Sequence, residues 1–505
     1  MSIGGRGQGL LGGPAAGRPF RPARGAPLQG RGELRDQPQP TRIRSATPGW
    51  GSGGAAPRQG PLGAIPSCRS GLPSPRRDPA QYSLAGRGRA AHTGAVSRTF
   101  SAWVTSGEDF LGVTGAFSVD VPWWAEVEPV VGQLRQALGV PVWVLRLLSV
   151  EGGEGGRDGH VTYHVEALER PGHGLSAGKP SPDVGELNGY EALRAPWART
   201  DGLRELLDWS ARTLSAAGRP VTGPVQQHRT WNLAGLFRLP TARGPVWLKS
   251  TPHFAADEAA VIAAFARVDP GLVPRVLGSA DRRILMEHIP GEDCWNASPE
   301  TIAAGVRRFV AAQAALASRP DERPPGLPDR RTPVLAERVR ELLDGPVTGE
   351  LTTQEVAAAG ELAGRWSALD ECGLPDTVVH GDFHPGNWRS DGGPPVVLDF
   401  ADAHWGHPVL DSLRLHDFLP EAVRATAARA WVDAWQAHVP GSDPARALAV
   451  AEPLAPLANA VRYQEFLDGI EPSERIYHSG DPASAIRDAV RCATASDPDL
   501  APARR

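Results

Sequence analysis

Two short apolar segments that each lead into an aspartate constrain the fold of this chain more than any other feature. The first is Val378–Asn387, with the sequence VVHGDFHPGN, and the second is Val396–Phe400, with the sequence VVLDF. Valine and leucine runs of this length favour short buried strands, and Pro385-Gly386 excludes a helix after the first run. We therefore expect two strands that each end in a polar loop.

The polar side chains of these loops suit phosphoryl transfer from a magnesium nucleotide. Such a reaction needs a carboxylate that orients and deprotonates the acceptor hydroxyl, oxygen ligands for Mg²⁺, and a cation on the phosphates. Asp382 suits the first role, and Asn387 and Asp399 suit the second. His380 and His384 would also fit a zinc hydrolase, but the following proline disfavours the helix that such a ligand pair needs.

The same stretch resembles the catalytic and metal-binding loops of the protein-kinase-like fold. His380–Asn387 matches the catalytic loop, and Asp399-Phe400 matches the metal loop. The sequence HPG at His384–Gly386 within the first loop and the later sequence GHPVLD at Gly406–Asp411 resemble the small-molecule branch of this fold. That branch is the aminoglycoside phosphotransferase and choline kinase group. The resemblance extends roughly over residues 225–490.

The resemblance implies roles for residues upstream of these loops. Lys249, one of only two lysines among 53 basic residues, would contact the nucleotide phosphates and pair with Glu258. The donor stays open between ATP and GTP, because the turn Asn232–Gly235 is not a full GxGxxG loop. Backbone groups of a hinge between two lobes would meet the adenine edge, and the hinge residues are Glu287, His288 and Ile289.

The resemblance also implies supporting roles around the catalytic loop. His380 would anchor this loop, and Asp411 would orient its backbone. His384 would be a packed histidine, and Asp402 would be a loop residue exposed to solvent. We therefore assign a supporting role to His380, His384, Asp402 and Asp411, a catalytic role to Asp382, and Mg²⁺ ligation to Asn387 and Asp399.

The order of strand and helix signals, together with the resemblance, implies an α+β, bilobal protein-kinase-like fold. A small antiparallel-sheet N-lobe would precede a helical C-lobe, and a small α/β domain and a disordered N-terminal tail would precede both. The predicted segments are 1–95 (disordered Arg/Gly/Pro-rich tail), 96–175 (small α/β domain of unknown role), 176–222 (linker and helix), 223–290 (N-lobe), 291–490 (C-lobe) and 491–505 (tail).

Hydrophobic periodicity and turn residues predict the individual elements. The predicted strands are Phe100–Val104, Phe110–Val119, Val142–Val150, His160–Leu168, Trp231–Leu233, Leu236–Leu239, Val246–Ser250, Val273–Gly278 and Arg283–Ile289. The predicted helices are Trp123–Leu138, Glu191–Ala217 with a break at Pro196, Ala255–Ala266, a helix starting at Ser298-Pro299, Val334–Leu343, Thr353–Ala368 and Glu421–His438.

Residues 1–95 differ from the rest of the 505-residue chain in composition. They carry 14 arginines and three acidic residues, and glycine and proline fill 33 of these 95 positions, which is typical of disorder. Contact with nucleic acid, a transit peptide and no function at all are three open interpretations of this tail. We expect activity to need no nucleic acid. The remaining chain has a net charge of −15, which suits a cationic acceptor.

The sequence also argues against a membrane or secreted protein. No apolar run reaches the roughly 18 residues of a membrane span, and the N-terminus lacks the apolar stretch of a secretory signal. The four cysteines are scattered, which is typical of the reducing cytosol. We therefore expect a cytoplasmic protein.

The predicted function is transfer of the γ-phosphoryl group of ATP or GTP to a hydroxyl of a small molecule, such as an aminoglycoside or another aminosugar or amino alcohol. Mg²⁺ would be the cofactor. The segment Arg462–Asp468 is a candidate wall of the acceptor site. Two alternatives stay open, which are a catalytically silent nucleotide-binding module and a zinc hydrolase that uses His380 and His384.

Overall fold

The computed structural model describes residues 98–177, Leu187 and 191–496. All of these residues lie in one compact unit of the chain, and their organisation is α+β as predicted. A mixed sheet comes first, an antiparallel sheet follows, and a helical half completes the described chain. The predicted tail at 1–95, the segment around Lys179, and residues 497–505 lie outside the described residues.

The first sheet packs against a helix and has both parallel and antiparallel pairs. Its elements are β1 (Arg98–Ser106), β2 (Asp109–Val113), β3 (Phe117–Val119), α1 (Glu128–Leu138), β4 (Val142–Glu151) and β5 (His160–Ala167). β1 pairs antiparallel with β2 and β3 and parallel with β5, and β4 pairs antiparallel with β5. The last pair joins two strands that the sequence predicted. Phe100, Ala102 and Val104 alternate along β1 and are buried, so one face of this strand lies in a core.

The second sheet is antiparallel throughout and carries the upstream part of the predicted site. Its region contains α2 (Thr200–Ala216), β6 (Gln226–Trp231), β7 (Ala234–Leu239), β8 (Val246–Ser250), α3 (Glu258–Val268), β9 (Val276–Ala280) and β10 (Arg283–Glu287). The strand order is β6-β7-β8-β10-β9. Trp247 pairs with Met286, and Lys249 pairs with Ile284. Because side chains alternate along a strand, Trp247 and Lys249 share one face of the sheet.

The third part of the chain is mainly helical, and its short strands hold loops. Its elements are β11 (Glu292–Asp293), α4 (Pro299–Ala317), β12 (Asp329–Arg330), α5 (Thr332–Leu343), α6 (Thr353–Ala363), α7 (Ser367–Asp370), β13 (Thr377–Val379), β14 (Trp388–Ser390), β15 (Val396–Val397), β16 (His404–Gly406), α8 (Val409–Phe418), α9 (Glu421–His438), α10 (Pro444–Ala451), α11 (Ala455–Gly469) and α12 (Asp481–Ser496). Ser298 begins α4 as predicted, because its side chain accepts a hydrogen bond from the Thr301 amide.

The two polar loops of the predicted site are fixed by aromatic side chains in the core. Phe383 from the first loop stacks on Phe309 of α4 with 4.3 Å between ring centroids. Phe400 from the second loop packs against His380 at 4.6 Å and against Phe265 at 5.2 Å. These phenylalanines are at most 3 % exposed, so burial of their rings holds both loops in place.

Several segments differ from the sequence prediction. The strand predicted at Phe110–Val119 is two strands, β2 and β3, because Thr114 between them accepts a side-chain hydrogen bond from the Ala102 amide. Helix α1 begins at Glu128 rather than Trp123. The carbonyls of Trp123 and Trp124 accept hydrogen bonds from Arg98 and Tyr163 instead of from a helix.

The last helix also extends beyond the predicted boundary at residue 490. α12 continues to Ser496, because Cys492 and Ala493 bury their side chains on the apolar face of the helix. Among the helices of the described residues, none is long and apolar enough to cross a membrane.

Candidate active site

The loop after β13 is held by a buried carboxylate on helix α8. Asp411 accepts hydrogen bonds from the backbone amides of His380 at 2.8 Å and Gly381 at 2.9 Å. Burial raises the pKa of Asp411 to about 7. Gly381 has a φ of 83°, which a residue with a side chain rarely adopts. The helix therefore fixes the backbone from which Asp382 projects.

His380 is a structural part of this loop. One ring nitrogen, Nδ1, accepts a hydrogen bond from the Asp382 amide at 3.2 Å, and Nε2 lies 2.9 Å from the Leu398 carbonyl. The ring is fully buried, and burial lowers its pKa to about 4. A neutral ring that donates to one backbone group and accepts from another links the two polar loops.

Asp382 is surrounded by hydrogen-bond donors and cations. Its Oδ1 accepts from Arg414 Nε at 2.8 Å and lies 2.7 Å from Nη2 of the same side chain. Its Oδ2 accepts from Asn387 Nδ2 at 3.2 Å and lies 3.3 Å from His384 Nε2. Burial alone would raise the pKa of Asp382, but Arg414 and His384, with Arg462 farther away, hold it well below its usual range. Asp382 is therefore ionised.

Asn387 and His384 complete the loop around Asp382. The Asn387 amide nitrogen also donates to the Asp382 carbonyl at 3.0 Å, while its Oδ1 is buried and accepts no hydrogen bond from the described residues. His384 is packed as predicted, because its ring stacks on Trp295 with 5.1 Å between centroids. An amide oxygen that is buried without a donor is a suitable ligand for a hard cation.

Lys249, Glu258 and Asp399 form one buried ion cluster. The Lys249 ammonium lies 2.9 Å from Glu258 Oε2 and 2.5 Å from Asp399 Oδ1. Burial opposes the charge of Lys249, but the two carboxylates outweigh it and raise the pKa of Lys249 above its usual value. Glu258 Oε1 also accepts from the Phe400 amide at 3.0 Å. The cluster therefore joins strand β8, helix α3 and the second polar loop.

The predicted hinge, Glu287–Ile289, lies beside a cavity of about 370 Å³. The Trp247 indole donates to His288 Nδ1 at 3.1 Å, and the Ile289 carbonyl accepts from Arg389 at 3.1 Å. The Glu287 side chain instead pairs with Arg219 at 2.7 Å. Apolar and aromatic groups with a few polar partners suit a planar base, and the lining residues include Leu236, Trp247, Met286, Glu287, His288, Ile289 and Leu398.

A second, narrower cavity of about 60 Å³ lies between the Lys249 ion cluster and Asp382. The predicted wall segment contributes Arg462, Tyr463, Glu465 and Phe466 to its lining. Asp402 is not a solvated loop residue, because Arg462 forms a bidentate ion pair with it and the Asp402 side chain is 18 % exposed. Arg462 also donates to the Gly381 carbonyl at 3.0 Å.

Sequence reasoning missed several residues at this cavity. Arg414 and Arg330 contribute guanidinium groups, and Trp231 and Phe254 contribute aromatic faces. Arg414 follows Asp411 by three residues on one helix, so helical spacing could have placed the two side chains on one face. No comparable signal separated Arg330 from the other arginines of the chain.

The zinc alternative gains no support from the geometry. Within 98–177 and 191–496, no group of three or more His, Cys, Asp or Glu side chains could hold a metal ion. Both ring nitrogens of His380 are engaged by backbone groups. His384 Nδ1 accepts from the Gly386 amide at 3.1 Å. Neither ring therefore offers zinc a free nitrogen together with a third ligand.

The antiparallel sheet and the helical half, with the ion cluster between them, have the bilobal kinase-like organisation predicted from the sequence. Residues 236–450 match the model of APH, the phosphotransferase enzyme family. This match confirms the resemblance predicted from the motifs for this part of the chain. Among curated proteins, none matches the chain significantly.

Several solved structures are similar to more than half of the chain. A putative fructosamine-3-kinase from Thermobifida fusca is 21% identical, with 56% of this chain and 98% of that chain covered and a TM-score of 0.36. A macrolide 2'-phosphotransferase from Brachybacterium faecium is 21% identical, with 55% and 98% covered and a TM-score of 0.40. A choline kinase from Streptococcus pneumoniae is 11% identical, with 56% and 99% covered and a TM-score of 0.43.

Proposed function

We propose that the protein transfers the γ-phosphoryl group of ATP or GTP to a hydroxyl of a small molecule. The observation that carries this proposal is the convergence of Lys249, Asp399 and Asp382 on one cavity. These side chains come from three separate stretches of the chain, and phosphoryl transfer needs a phosphate-binding cation, metal ligands and a carboxylate at one place. A buried ion pair without a function is costly, which also favours a role for Lys249.

Lys249 would bind the α- and β-phosphates, with Glu258 holding the ammonium in position. Asn387 Oδ1 and the Asp399 carboxylate are the oxygen donors that suit Mg²⁺, and Asn387 Oδ1 has no donor among the described residues. When bound, Mg²⁺ would neutralise charge on the phosphates. Asp382 would orient the acceptor hydroxyl and receive its proton. Backbone groups of Glu287, His288 and Ile289 would bind the base.

The setting of the reaction follows the same proposal. The acceptor is a small molecule, and no nucleic acid is needed. Cys294 and Cys372 are buried thiols rather than half-cystines, which suits a reducing compartment. We therefore place the reaction in the cytoplasm.

Replacement of the catalytic aspartate tests the proposal. Asp382→Asn keeps the shape of the side chain but removes the proton acceptor, so we expect kcat to fall about a hundredfold or more. Stabilisation by Mg–ATP in a thermal-shift assay should persist. Transfer is measured with γ-labelled ATP against a panel of hydroxyl-bearing metabolites and antibiotics. The matched control is Asp391→Asn, at an exposed loop position. Undiminished transfer by Asp382→Asn would reject the mechanism.

A catalytically silent nucleotide-binding module is the second candidate. One observation favours it, because both carboxylate oxygens of Asp382 already have partners, Arg414 on Oδ1 and Asn387 on Oδ2. A silent module would be stabilised by Mg–ATP, yet the unaltered protein would neither hydrolyse ATP slowly nor phosphorylate any acceptor of the panel.

A further inference from the structure

Arginine side chains dominate the part of the cavity that would receive the acceptor. Among the residues that the structure describes, four arginines line it, and three carboxylates outside the Lys249 cluster accompany them. The chain as a whole is acidic, so the cavity does not follow the global charge. The arginines are Arg229, Arg330, Arg414 and Arg462, and the carboxylates are Asp382, Asp402 and Glu465.

Each arginine is held in place by a carboxylate. Arg462 forms its bidentate pair with Asp402, and Arg330 pairs with Glu465. Arg414 has two nitrogens on one oxygen of Asp382, and its guanidinium lies 4.6 Å from the centroid of Phe418. Rigid guanidinium forks suit carboxylate or phosphate groups and repel an ammonium group. Together with Lys249, the four arginines outnumber the four carboxylates of the lining by one, so the cavity disfavours the cationic acceptor that the net charge suggested.

Arg414 also restricts the proposed role of Asp382. An acceptor hydroxyl needs a free oxygen of Asp382 within hydrogen-bond reach of its proton. Arg414 occupies Oδ1 with two contacts, and Asn387 occupies Oδ2. An anionic group on the acceptor would compete for the Arg414 fork and release Oδ1 at the moment when the hydroxyl arrives.

We propose that the acceptor is a small hydroxy acid whose carboxylate binds Arg414, with Arg330 and Arg462 beside it. This inference rests on the proposed kinase function. The acceptor oxygen forms a bond to the γ-phosphorus of the donor, and the bond from that phosphorus to the β–γ bridging oxygen breaks. The hydroxyl proton goes to Asp382 Oδ1, and the bridging electron pair leaves with the nucleoside diphosphate. Arg414 thus determines acceptor specificity, and Asp382 remains the proton acceptor.

The dimensions of the cavity limit the size of the acid. The enclosed space is about 60 Å³, and one water-sized centre needs about 10–15 Å³. Aromatic faces of Trp231, Tyr463 and Phe466 close the other walls and suit the carbon chain of the acceptor. A small acid therefore fits better than a macrocycle or an oligosaccharide.

Matched acceptors that differ only in charge test the proposal on the full chain. The three-carbon set is glycerate, glycerol and serinol, and the six-carbon set is gluconate, sorbitol and glucamine. Release of ADP from Mg–ATP is measured with each acceptor. We expect kcat/KM for the acid to exceed that for the neutral alcohol by about tenfold or more in at least one set. The amine should be the poorest acceptor of its set.

Variants of the arginines separate recognition from structure. Arg414→Gln and Arg330→Gln should each lower the acid-to-alcohol ratio of kcat/KM toward one, and Arg414→Lys should restore part of it. Arg330 is the second variant because its pair with Glu465 does not touch Asp382. The matched control is Arg331→Gln, which removes an exposed arginine that pairs with Asp329 and does not line the cavity. A purely structural role would lower all acceptors equally and leave the ratio unchanged.

The outcomes distinguish this inference from the proposed function. Transfer to neutral or cationic acceptors with no preference for acids would overturn the inference and leave the kinase function standing. If no acceptor reacts, binding of glycerate and gluconate is measured by thermal shift with Mg–ADP present. Stabilisation that is lost in Arg414→Gln would support the acid site while the kinase function fails. No stabilisation by either acid would overturn the acid site as well.

Discussion

The ammonium group of Lys249 joins the region of the antiparallel sheet to the helical half. Its side chain is 1 % exposed, and it contacts Glu258 from helix α3 and Asp399 from the second polar loop. Asp399 has a φ of 64°, a backbone conformation that costs about 1 kcal/mol or more in a residue with a side chain. The strain is retained at a position where the carboxylate reaches both the lysine and the proposed metal site. The site therefore needs a compact cation at position 249.

A change of Lys249 to arginine tests this requirement. Lys249→Arg keeps the positive charge but places a larger planar group in a fully buried site, so we expect kcat/KM to fall about a hundredfold or more. Turnover and Mg–ATP stabilisation are measured together, and the free energy of unfolding is measured in urea. Arg338→Lys, in an exposed pair with Glu341, is the control. Full activity in Lys249→Arg would show that any cation suffices here.

Lys249, Arg414 and Arg330 show which site residues can be predicted from the sequence and which cannot. Lys249 could be predicted because lysine is rare in this chain and the resemblance expects one on a strand. Arg414 could not, because arginine is the default basic residue here and its partner Asp382 lies 32 positions away. Arg330 stands on a two-residue strand that only tertiary pairing with β16 defines. Contacts between residues that are distant in the sequence were therefore what the sequence could not predict.

At the scale of elements, helix α8 holds the loop that carries Asp382 from one face. Asp411 and Arg414 are three residues apart and lie on the same side of the helix. The first binds the loop backbone at His380 and Gly381, and the second binds the loop carboxylate. Any shift of this helix would therefore move the loop backbone and the Asp382 side chain together.

The loop backbone itself depends on a glycine. A Cβ on Gly381 would lie 2.3 Å from the Asp402 carbonyl oxygen, and the φ of 83° disfavours a side chain as well. We expect Gly381→Ala to lower the free energy of unfolding by about 2 kcal/mol or more and to impair turnover. Urea unfolding and turnover are the measurements. Gly326→Ala has a similar φ of 69° but open space, so it should cost only about 1 kcal/mol. Equal losses would exclude the close contact as the cause.

The elements that the sequence predicted well are those whose apolar pattern faces one core. Strand β8 and helix α9 have the predicted bounds. Strand β6 was missed, and only its last residue falls in the predicted strand, because most of its residues are polar. Gln227 is 1 % exposed and exchanges hydrogen bonds with the Val144 backbone, and Thr230 donates to the Leu145 carbonyl. A strand that satisfies another sheet through polar side chains lacks the hydrophobic alternation that prediction relies on.

At the scale of the whole molecule, the first sheet, which is the N-terminal sheet β1–β5, contacts both the antiparallel sheet and the helical half. Strand β4 meets β6 through Gln227, and its Leu147 amide donates to Glu474 Oε1 at 3.0 Å. Glu474 lies between α11 and α12 of the helical half. Tyr477 from the same segment is 5 % exposed and packs in the core of the N-terminal sheet, with Trp124 at 5.5 Å. The sheet therefore braces the two halves through these contacts.

The protonation of Glu474 links this brace to pH. Burial, together with the nearby Glu471, raises the pKa of Glu474 to about 8, above its usual value in an unfolded chain. Between these two pKa values the unfolded chain releases a proton that the folded protein keeps. Folding stability from this group is therefore complete at low pH and is lost as pH rises toward 8, by up to about 1.4 kcal/mol per pH unit.

The variant Glu474→Gln removes this proton while its side-chain oxygen can still accept from the Leu147 amide. We expect the free energy of unfolding of the variant, relative to the unaltered protein, to increase steadily from pH 5 to pH 8. Urea unfolding at each pH unit measures the difference. Glu361→Gln, at an exposed position on α6, should give a constant difference over the same range. A constant difference for Glu474→Gln as well would mean that Glu474 is ionised in the folded protein, and the brace would then contain a buried charge.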